Sequence, residues 1–307
     1  MTQPRIVFMG TPAFAVASLK ALLEAGMHVV GVVTAPDKPG GRGMQLQQSA
    51  VKQFALANQL PVLQPEKLKS AEFSEALQAW APDIQVVVAF RMLPEKIWSF
   101  PRMGTLNVHG SLLPQYRGAA PINWAIINGE NETGVTTFKL QHAIDTGDIL
   151  LQDRIPISDT MTAGELHDIM MEAGARLLVT TLKGLFEDSI QPIPQNESIE
   201  LHHAPKIFTK DCEINWNQSA NKIHNLIRGL APFPGAITKV DGKIVKLYHT
   251  NIENKKPLEP AGSFVTDGKS VAKFACQDGY ILLKDIQWEG KKKMPIEDFL
   301  RGYRSIN

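Results

Sequence analysis

The first forty residues constrain the fold more than any other part of the chain. RIVFMG (Arg5 to Gly10) is a short apolar run suited to a parallel strand buried on both faces. Thr11-Pro12 follows with helix-start chemistry, a capping hydroxyl and then a proline for the first turn. FAVASLKALLEAG places Phe14, Leu19, Leu22 and Leu23 on one helical face and stops at Gly26, and HVVGVVTA supplies a second β-rich run. Strand, helix and strand in this order make a right-handed crossover onto a parallel sheet.

The alternation continues. SAVKQFALANQ reads as a helix, LPVLQP as a short strand, SAEFSEALQAW as a helix, and IQVVVAF (Ile84 to Phe90) as a strong strand. TLNVHGSLLP, GVTTFKLQ and DILLQDRIPI add strands, and Thr162 to Glu187 is a long helix that closes the first domain. The expected fold class is therefore α/β with a twisted, mostly parallel sheet. After a proline-rich connector the grammar changes. One helix, SANKIHNLIRGL, precedes short β runs split by Asp241-Gly242, Asp267-Gly268 and Asp278-Gly279, a spacing suited to a small closed β-barrel. The expected domains are residues 1–188, a linker at 189–206, and 207–307.

Composition narrows the function. The chain has 307 residues, 44% of them hydrophobic, enough for two cored domains. Cys212 and Cys276 make no disulfide framework and have no metal-ligand spacing, so they read as reduced thiols and no metal is expected. No run reaches the ~18 apolar residues of a membrane span, and the N-terminus lacks a signal-peptide layout, so a soluble cytoplasmic protein is expected. The net charge of +1 hides an asymmetry: residues 1–204 carry 15 Lys+Arg against 20 Asp+Glu, and residues 205–307 carry 17 against 11. A C-terminal part at +6 suits contact with a phosphate backbone, although scatter of surface charge produces such numbers too.

GTPAF, at the first strand–helix turn, lacks the GxGxxG spacing, and no GxxxxGKS occurs, so a bound dinucleotide is not expected. Ligands of open α/β sheets still occupy crevices at carboxyl strand ends, here IQVVVAF-RMLP and LNVHGSLLP. Asn107 and His109, two apart on one strand, point to the same face, and burying them is costly unless they meet partners. Asp145, in AIDTGD, occupies a tight polar loop. Each has an ordinary structural reading, an internal hydrogen-bonded pair or an Asx-type turn. Together they suit acyl transfer to an amine, which needs an oxyanion donor, a proton acceptor and a group that tunes charge. With both cysteines remote in sequence from these motifs and Ser111 outside a nucleophile elbow, direct transfer is favoured. Two weaker basic features have an ordinary reading beside a reach into nucleic acid: PDKPGGRGMQ, with Lys38 and Arg42, as a mobile surface loop, and the run Lys291, Lys292 and Lys293, usually a solvated turn.

NVHGSLLPQYRGAAPINWAIINGENETGVTTF followed by IDTGDIL resembles the folate-dependent formyltransferase family. MGTPAFAVASLKAL, PDKPGGRG and GKKKM extend the resemblance over almost the whole chain, toward members whose acceptor is methionyl-tRNA. The resemblance implies a Rossmann-like catalytic domain joined to a small, OB-like barrel that helps bind tRNA. It implies a catalytic trio of Asn107, His109 and Asp145. It further implies a folate pocket lined by Ser111, Leu112, Leu113 and Pro114 and by the AFRMLP strand end, with Phe90, Arg91 and Leu93. Arg91 stands where the family commonly has a small residue. The expected partners are 10-formyltetrahydrofolate, as formyl donor, and initiator methionyl-tRNA, with Arg42 and Lys38 reaching the acceptor stem and Lys291, Lys292 and Lys293 aiding. No membrane or obligate protein partner is expected. The rival readings are the same donor with a small acceptor amine, which leaves a basic barrel without purpose, and a tRNA-binding module with vestigial catalytic residues.

Overall fold

The computed structural model describes residues 3–40 and 45–304. Along the chain run β1 (Ile6–Gly10), α1 (Ala13–Glu24), β2 (Val29–Val33), β3 (Lys38–Gly40), β4 (Gln45–Gln47), α2 (Ala50–Ala57), β5 (Val62–Leu63) and α3 (Ala71–Ala79). Next come β6 (Ile84–Val88), α4 (Glu95–Trp98), β7 (Thr105–His109), β8 (Arg117–Gly118), α5 (Pro121–Ile127), β9 (Glu132–Lys139), β10 (Ile149–Pro156) and α6 (Ala163–Phe186). The remainder holds β11 (His203–Ala204), α7 (Ala220–Leu230), β12 (Ala236–Val240), β13 (Lys243–Glu253), β14 (Phe264–Thr266), β15 (Ala272–Ala275), β16 (Tyr280–Trp288), β17 (Met294–Pro295) and α8 (Ile296–Gly302). They form two compact units. One comprises Met1–Arg117, Gly134–Ile155 and His167–His202, the other Gly118–Thr133, Pro156–Leu166 and His203–Asn307.

The first unit is built on a seven-stranded sheet ordered β10-β9-β7-β6-β1-β2-β5. β1 pairs in parallel with β2 and β6, β6 with β7, and β2 with β5, whereas β9 runs antiparallel to β7. Every residue of β1 and β6 is buried, Gln85 among the apolar residues of β6 included, as strands covered by helices on both faces are. From β1 the chain winds outward through β2 to β5 and then returns to the other side through β6 and β7. The reversal leaves a crevice at the carboxyl ends of β1 and β6, where ligands of such sheets bind. Gly10 ends β1 there, and a Cβ on it would stand 2.6 Å from that of Ala15 and 3.1 Å from the Val88 carbonyl oxygen. The serines before α2 and α3 cap their helices: Ser49 Oγ accepts from Lys52 N at 3.0 Å and Ser70 Oγ from Phe73 N at 3.3 Å, each worth about 1 kcal/mol.

The second unit packs α5, α7 and α8 with an antiparallel sheet ordered β12-β13-β16-β15-β14, with β17 on β16. Among the described residues the strand order is open, with β12 and β14 at its ends, a half-barrel where the turn spacing suggests a closed one, and β13 carries a register shift around His249 along β16. Asp241 and Gly242 connect β12 to β13 with φ of 49° and 76°, the left-handed pair that a two-residue hairpin demands. Trp216 stacks on Phe274 at 4.3 Å between centroids, and both cysteines are buried thiols, Cys212 within the apolar cluster beneath the sheet. Ahead of α6, Thr162 and Glu165 form a reciprocal capping box, with Thr162 N donating to Glu165 Oε2 at 2.8 Å and Glu165 N to Thr162 Oγ1 at 3.3 Å. Among the described residues no helix is long and apolar enough to cross a membrane.

Two polar side chains of α7 are buried in this unit. Arg228 Nη1 donates to the carbonyls of Ser158 and Met161 at 3.1 and 3.0 Å. His224 Nε2–H donates to the Asp159 carbonyl at 3.2 Å, and its Nδ1 accepts from the Thr250 hydroxyl at 2.9 Å, so the neutral ring is fully satisfied. Burial holds its pKa below the ordinary 6.5. The Asp159 carbonyl bond partly opposes this shift, and the charge of Arg228 adds to it. As pH falls, the unfolded chain takes up this proton before the folded one does, so the stabilisation is full above about 6.5 and is lost below it. Urea unfolding of the whole protein between about pH 7 and pH 5 should show a decline that His224→Gln flattens; identical slopes for the two proteins would contradict this.

Candidate active site

β7 presents the polar residues. Its register opposite β9 sets Asn107 beside Phe138 and His109 beside Thr136, so the two side chains share one face at the carboxyl end of the strand. His109 is buried, and its ring meets Phe138 edge-on, 6.4 Å between centroids. Its Nε2 lies 2.9 Å from the Tyr116 carbonyl oxygen. A carbonyl only accepts, so Nε2 carries the proton and Nδ1 is the nitrogen left for chemistry. Nδ1 faces Asp145 Oδ2 at 3.8 Å, beyond a direct hydrogen bond but within ion-pair range once the ring is protonated. The side chains of His109 and Asp145 are only 8% and 13% exposed, so charge appearing between them is poorly screened.

The loops on either side are tightly specified. Asp145 itself has φ of 55°, and two residues on, a Cβ at Gly147 would stand 1.6 Å from the Lys139 carbonyl oxygen, so only glycine fits. Gln195 Nε2 donates to the carbonyls of both Asp145 and Gly147, at 2.8 and 2.7 Å. After β7, Thr136 Oγ1 donates to the Ser111 carbonyl at 2.6 Å and accepts from Leu113 N at 3.1 Å, while Gln152 Nε2 donates to Leu113 O at 2.9 Å. Tyr116, at φ of 60°, donates its N–H to the His202 carbonyl at 2.7 Å.

The expected folate residues fall into two groups. The side chains of Ser111 and Leu113 are fully or nearly fully buried, Ser111 Oγ donates to Gln115 O at 2.6 Å, and Leu112 and Pro114 are half-buried. At the end of β6, Leu93 is a core residue and Phe90 is half-buried. Arg91 is half-buried and engaged. Its two terminal nitrogens donate to Glu66 O and Pro65 O at 3.1 and 2.7 Å, and its guanidinium lies 5.4 Å from the Phe90 ring, tying β6 to the segment after β5.

Of the expected tRNA residues, Lys38 is exposed on β3, whereas Arg42 lies outside the described residues. Lys291, Lys292 and Lys293 follow β16 and are exposed. Lys293 Nζ is 3.6 Å from Asp285 Oδ2 and 5.2 Å from the Tyr248 ring, so part of its charge is already answered. The sequence reading did not single out Tyr116, Thr136, Gln152, Gln195 or Arg117. Tyr116 and Arg117 stand inside the NVHGSLLPQYRG wording, but a backbone acceptor and a connector glutamine leave no local signature.

Two family profiles cover this architecture, formyl transferase over residues 4–182 and formyl transferase, C-terminal domain, over 206–304. The chain belongs to the formyl transferase family. Among curated formyl transferases, the methionyl-tRNA formyltransferase of Parabacteroides distasonis is 53% identical, with 98% of this chain and 96% of that protein aligned. The methionyl-tRNA formyltransferase of Bacteroides fragilis is 50% identical, with 97% and 95% aligned. Among solved structures, HypX from Aquifex aeolicus in complex with tetrahydrofolic acid matches at a TM-score of 0.66 and 20% identity, over 99% of this chain and 49% of that one. That likeness speaks for the fold alone.

Proposed function

We propose that this formyl transferase moves a formyl group from 10-formyltetrahydrofolate to the amino group of initiator methionyl-tRNA, in the cytoplasm, as a step of translation initiation. The observation that carries the chemistry is the His109–Asp145 pair, with its proton-bearing Nε2 committed to the Tyr116 carbonyl and its Nδ1 turned toward the carboxylate. The acceptor is supported by relatives about half identical along nearly their whole length, all named for methionyl-tRNA. The excess of six positive charges in residues 205–307 supports it further.

The folate lies along the carboxyl ends of β6 and β7, against Phe90, Arg91 and Leu93 and the backbone of Ser111, Leu112, Leu113 and Pro114. The methionyl nitrogen attacks the formyl carbon, and the C=O pair moves onto oxygen. Asn107 donates to that oxyanion from its amide, and protonated His109 from Nδ1. Asp145 holds the imidazolium and receives the proton that the amine sheds, directly or through a water. Collapse of the tetrahedral centre breaks the bond to the folate N10, which leaves with a proton, giving formylmethionyl-tRNA and tetrahydrofolate. Lys38, Arg42, Lys291, Lys292 and Lys293 meet tRNA phosphates, whose neutralisation makes binding salt-dependent.

The rival with a small acceptor amine makes a different forecast for one assay. Labelled formyl from 10-formyltetrahydrofolate should pass to charged initiator methionyl-tRNA and neither to uncharged tRNA nor to free methionine. Transfer to a small amine but not to charged tRNA would replace the acceptor and keep the donor. In the same assay Asn107→Ala should lower turnover by about a hundred- to a thousandfold, the usual cost of one oxyanion donor. A loss of less than about tenfold would remove Asn107 from that role.

A further inference from the structure

The connector that follows α6 does more than join the halves of the chain. Its backbone pairs with β10 through mutual N–H to O bonds of Ile149 and Ile193, 2.8 Å each. Two residues on, the half-buried side chain of Gln195 is fully engaged. Its Nε2 donates to Asp145 O and Gly147 O at 2.8 and 2.7 Å, and its Oε1 accepts from Arg117 Nε and Nη2 at 3.0 and 2.7 Å. The amide has one permissible orientation. Turned over, its NH2 would face a guanidinium that only donates and its oxygen would face two carbonyls that only accept. Arg117 is fixed in turn, since Nη2 also reaches Glu197 Oε1 at 3.1 Å on the same connector. Further along, the His202 carbonyl accepts from Tyr116 N at 2.7 Å, and Gln115 Nε2 donates to Glu200 O at 2.8 Å.

The connector therefore grips the backbone at both ends of the candidate pair, near Tyr116, whose carbonyl accepts the hydrogen bond of His109 Nε2–H, and at Asp145, whose carboxylate faces Nδ1. Asp145 and Tyr116 both sit at positive φ, a conformation that non-glycine residues keep only where the surroundings over-determine it. We infer that Gln195 is a positioning residue for the proposed formyl transfer: through the Asp145 and Gly147 carbonyls it sets the place of the Asp145 carboxylate relative to His109. The inference rests on the functional reading given above. Both polar atoms of the Gln195 side chain are committed to Asp145, Gly147 and Arg117. Its effect is on where Asp145 stands.

The test uses the full-length enzyme and the variant Gln195→Glu, which keeps an acceptor for Arg117 but sets a carboxylate oxygen against the two carbonyls. Formyl transfer to charged tRNA should lose about 10- to 100-fold in kcat, while KM for the folate donor changes less than about threefold. The deciding measurement is the double-mutant cycle with Asp145→Asn. A residue acting through Asp145 adds less than about twofold on that background, whereas a general structural defect multiplies through. Gln195→Glu within about twofold of wild type, or a full multiplicative loss in the double variant, would overturn the inference. Should the wild-type protein transfer no formyl to tRNA, the functional reading fails by itself. The crystal structure of Gln195→Glu then decides the inference: a displaced Asp145–Gly147 backbone supports it, and an undisturbed one overturns it.

Discussion

The hydrogen bond from His109 Nε2 to the Tyr116 carbonyl is the contact on which the rest of the site depends. An imidazole has two nitrogens and a choice of which bears the proton, and an accepting carbonyl removes the choice. With Nε2 so engaged, Nδ1 is the nitrogen that faces the Asp145 carboxylate, at 3.8 Å, and in the proposed reaction the one turned to the formyl group. The carbonyl is itself set by unusual backbone. Tyr116 has positive φ, and its N–H is held by the His202 carbonyl. A sheet strand supplies the ring, the segment after it supplies the acceptor, and the connector supplies the brace.

Of seven described non-glycine residues at positive φ, three lie around this site: Ala89 at the end of β6, Tyr116 and Asp145. Each costs on the order of 1 kcal/mol or more, a cost the surrounding bonds must offset. The Asp145 loop shows how they do so. Gly147 permits the close approach to Lys139, Gln195 holds two carbonyls, and Thr146 Oγ1 donates to Ala143 O at 3.0 Å. Thr136 does equivalent work for the loop after β7, since one buried hydroxyl serves Ser111 and Leu113 at once. Rigidity of this kind suits a reaction whose acceleration comes from donors already aimed at the developing charge.

Much of this was legible in the sequence. Apolar runs at Ile6–Gly10 and Ile84–Val88 are buried parallel strands, and Asn107 and His109 share a face because strand alternation leaves no other outcome. YILLKDIQW is β16 residue for residue, and Asp241-Gly242 is the hairpin its type announces. Other features depend on long-range partners that periodicity does not carry. α5 (Pro121–Ile127) is too short to show a helical period, and the antiparallel setting of β9 against β7 follows from tertiary pairing. The destination of Arg91, onto the carbonyls of Pro65 and Glu66, is set by a segment 25 residues away. Gln195 stands between prolines and polar residues in a stretch that reads as plain linker, and its bonds exist only because the fold brings residues 50 and 78 positions distant to it.

The tautomer of His109 is the most direct test of the account. Protein labelled with nitrogen-15 in its histidines, observed by NMR in alkaline buffer where imidazoles are neutral, reports the protonated nitrogen of each ring, and the loss of one set of signals in His109→Asn assigns it. The account predicts the proton on Nε2 and an unprotonated Nδ1 for His109. A proton resident on Nδ1 would contradict it, because the Tyr116 carbonyl would then have no donor and Asp145 would face an N–H already present in the neutral ring.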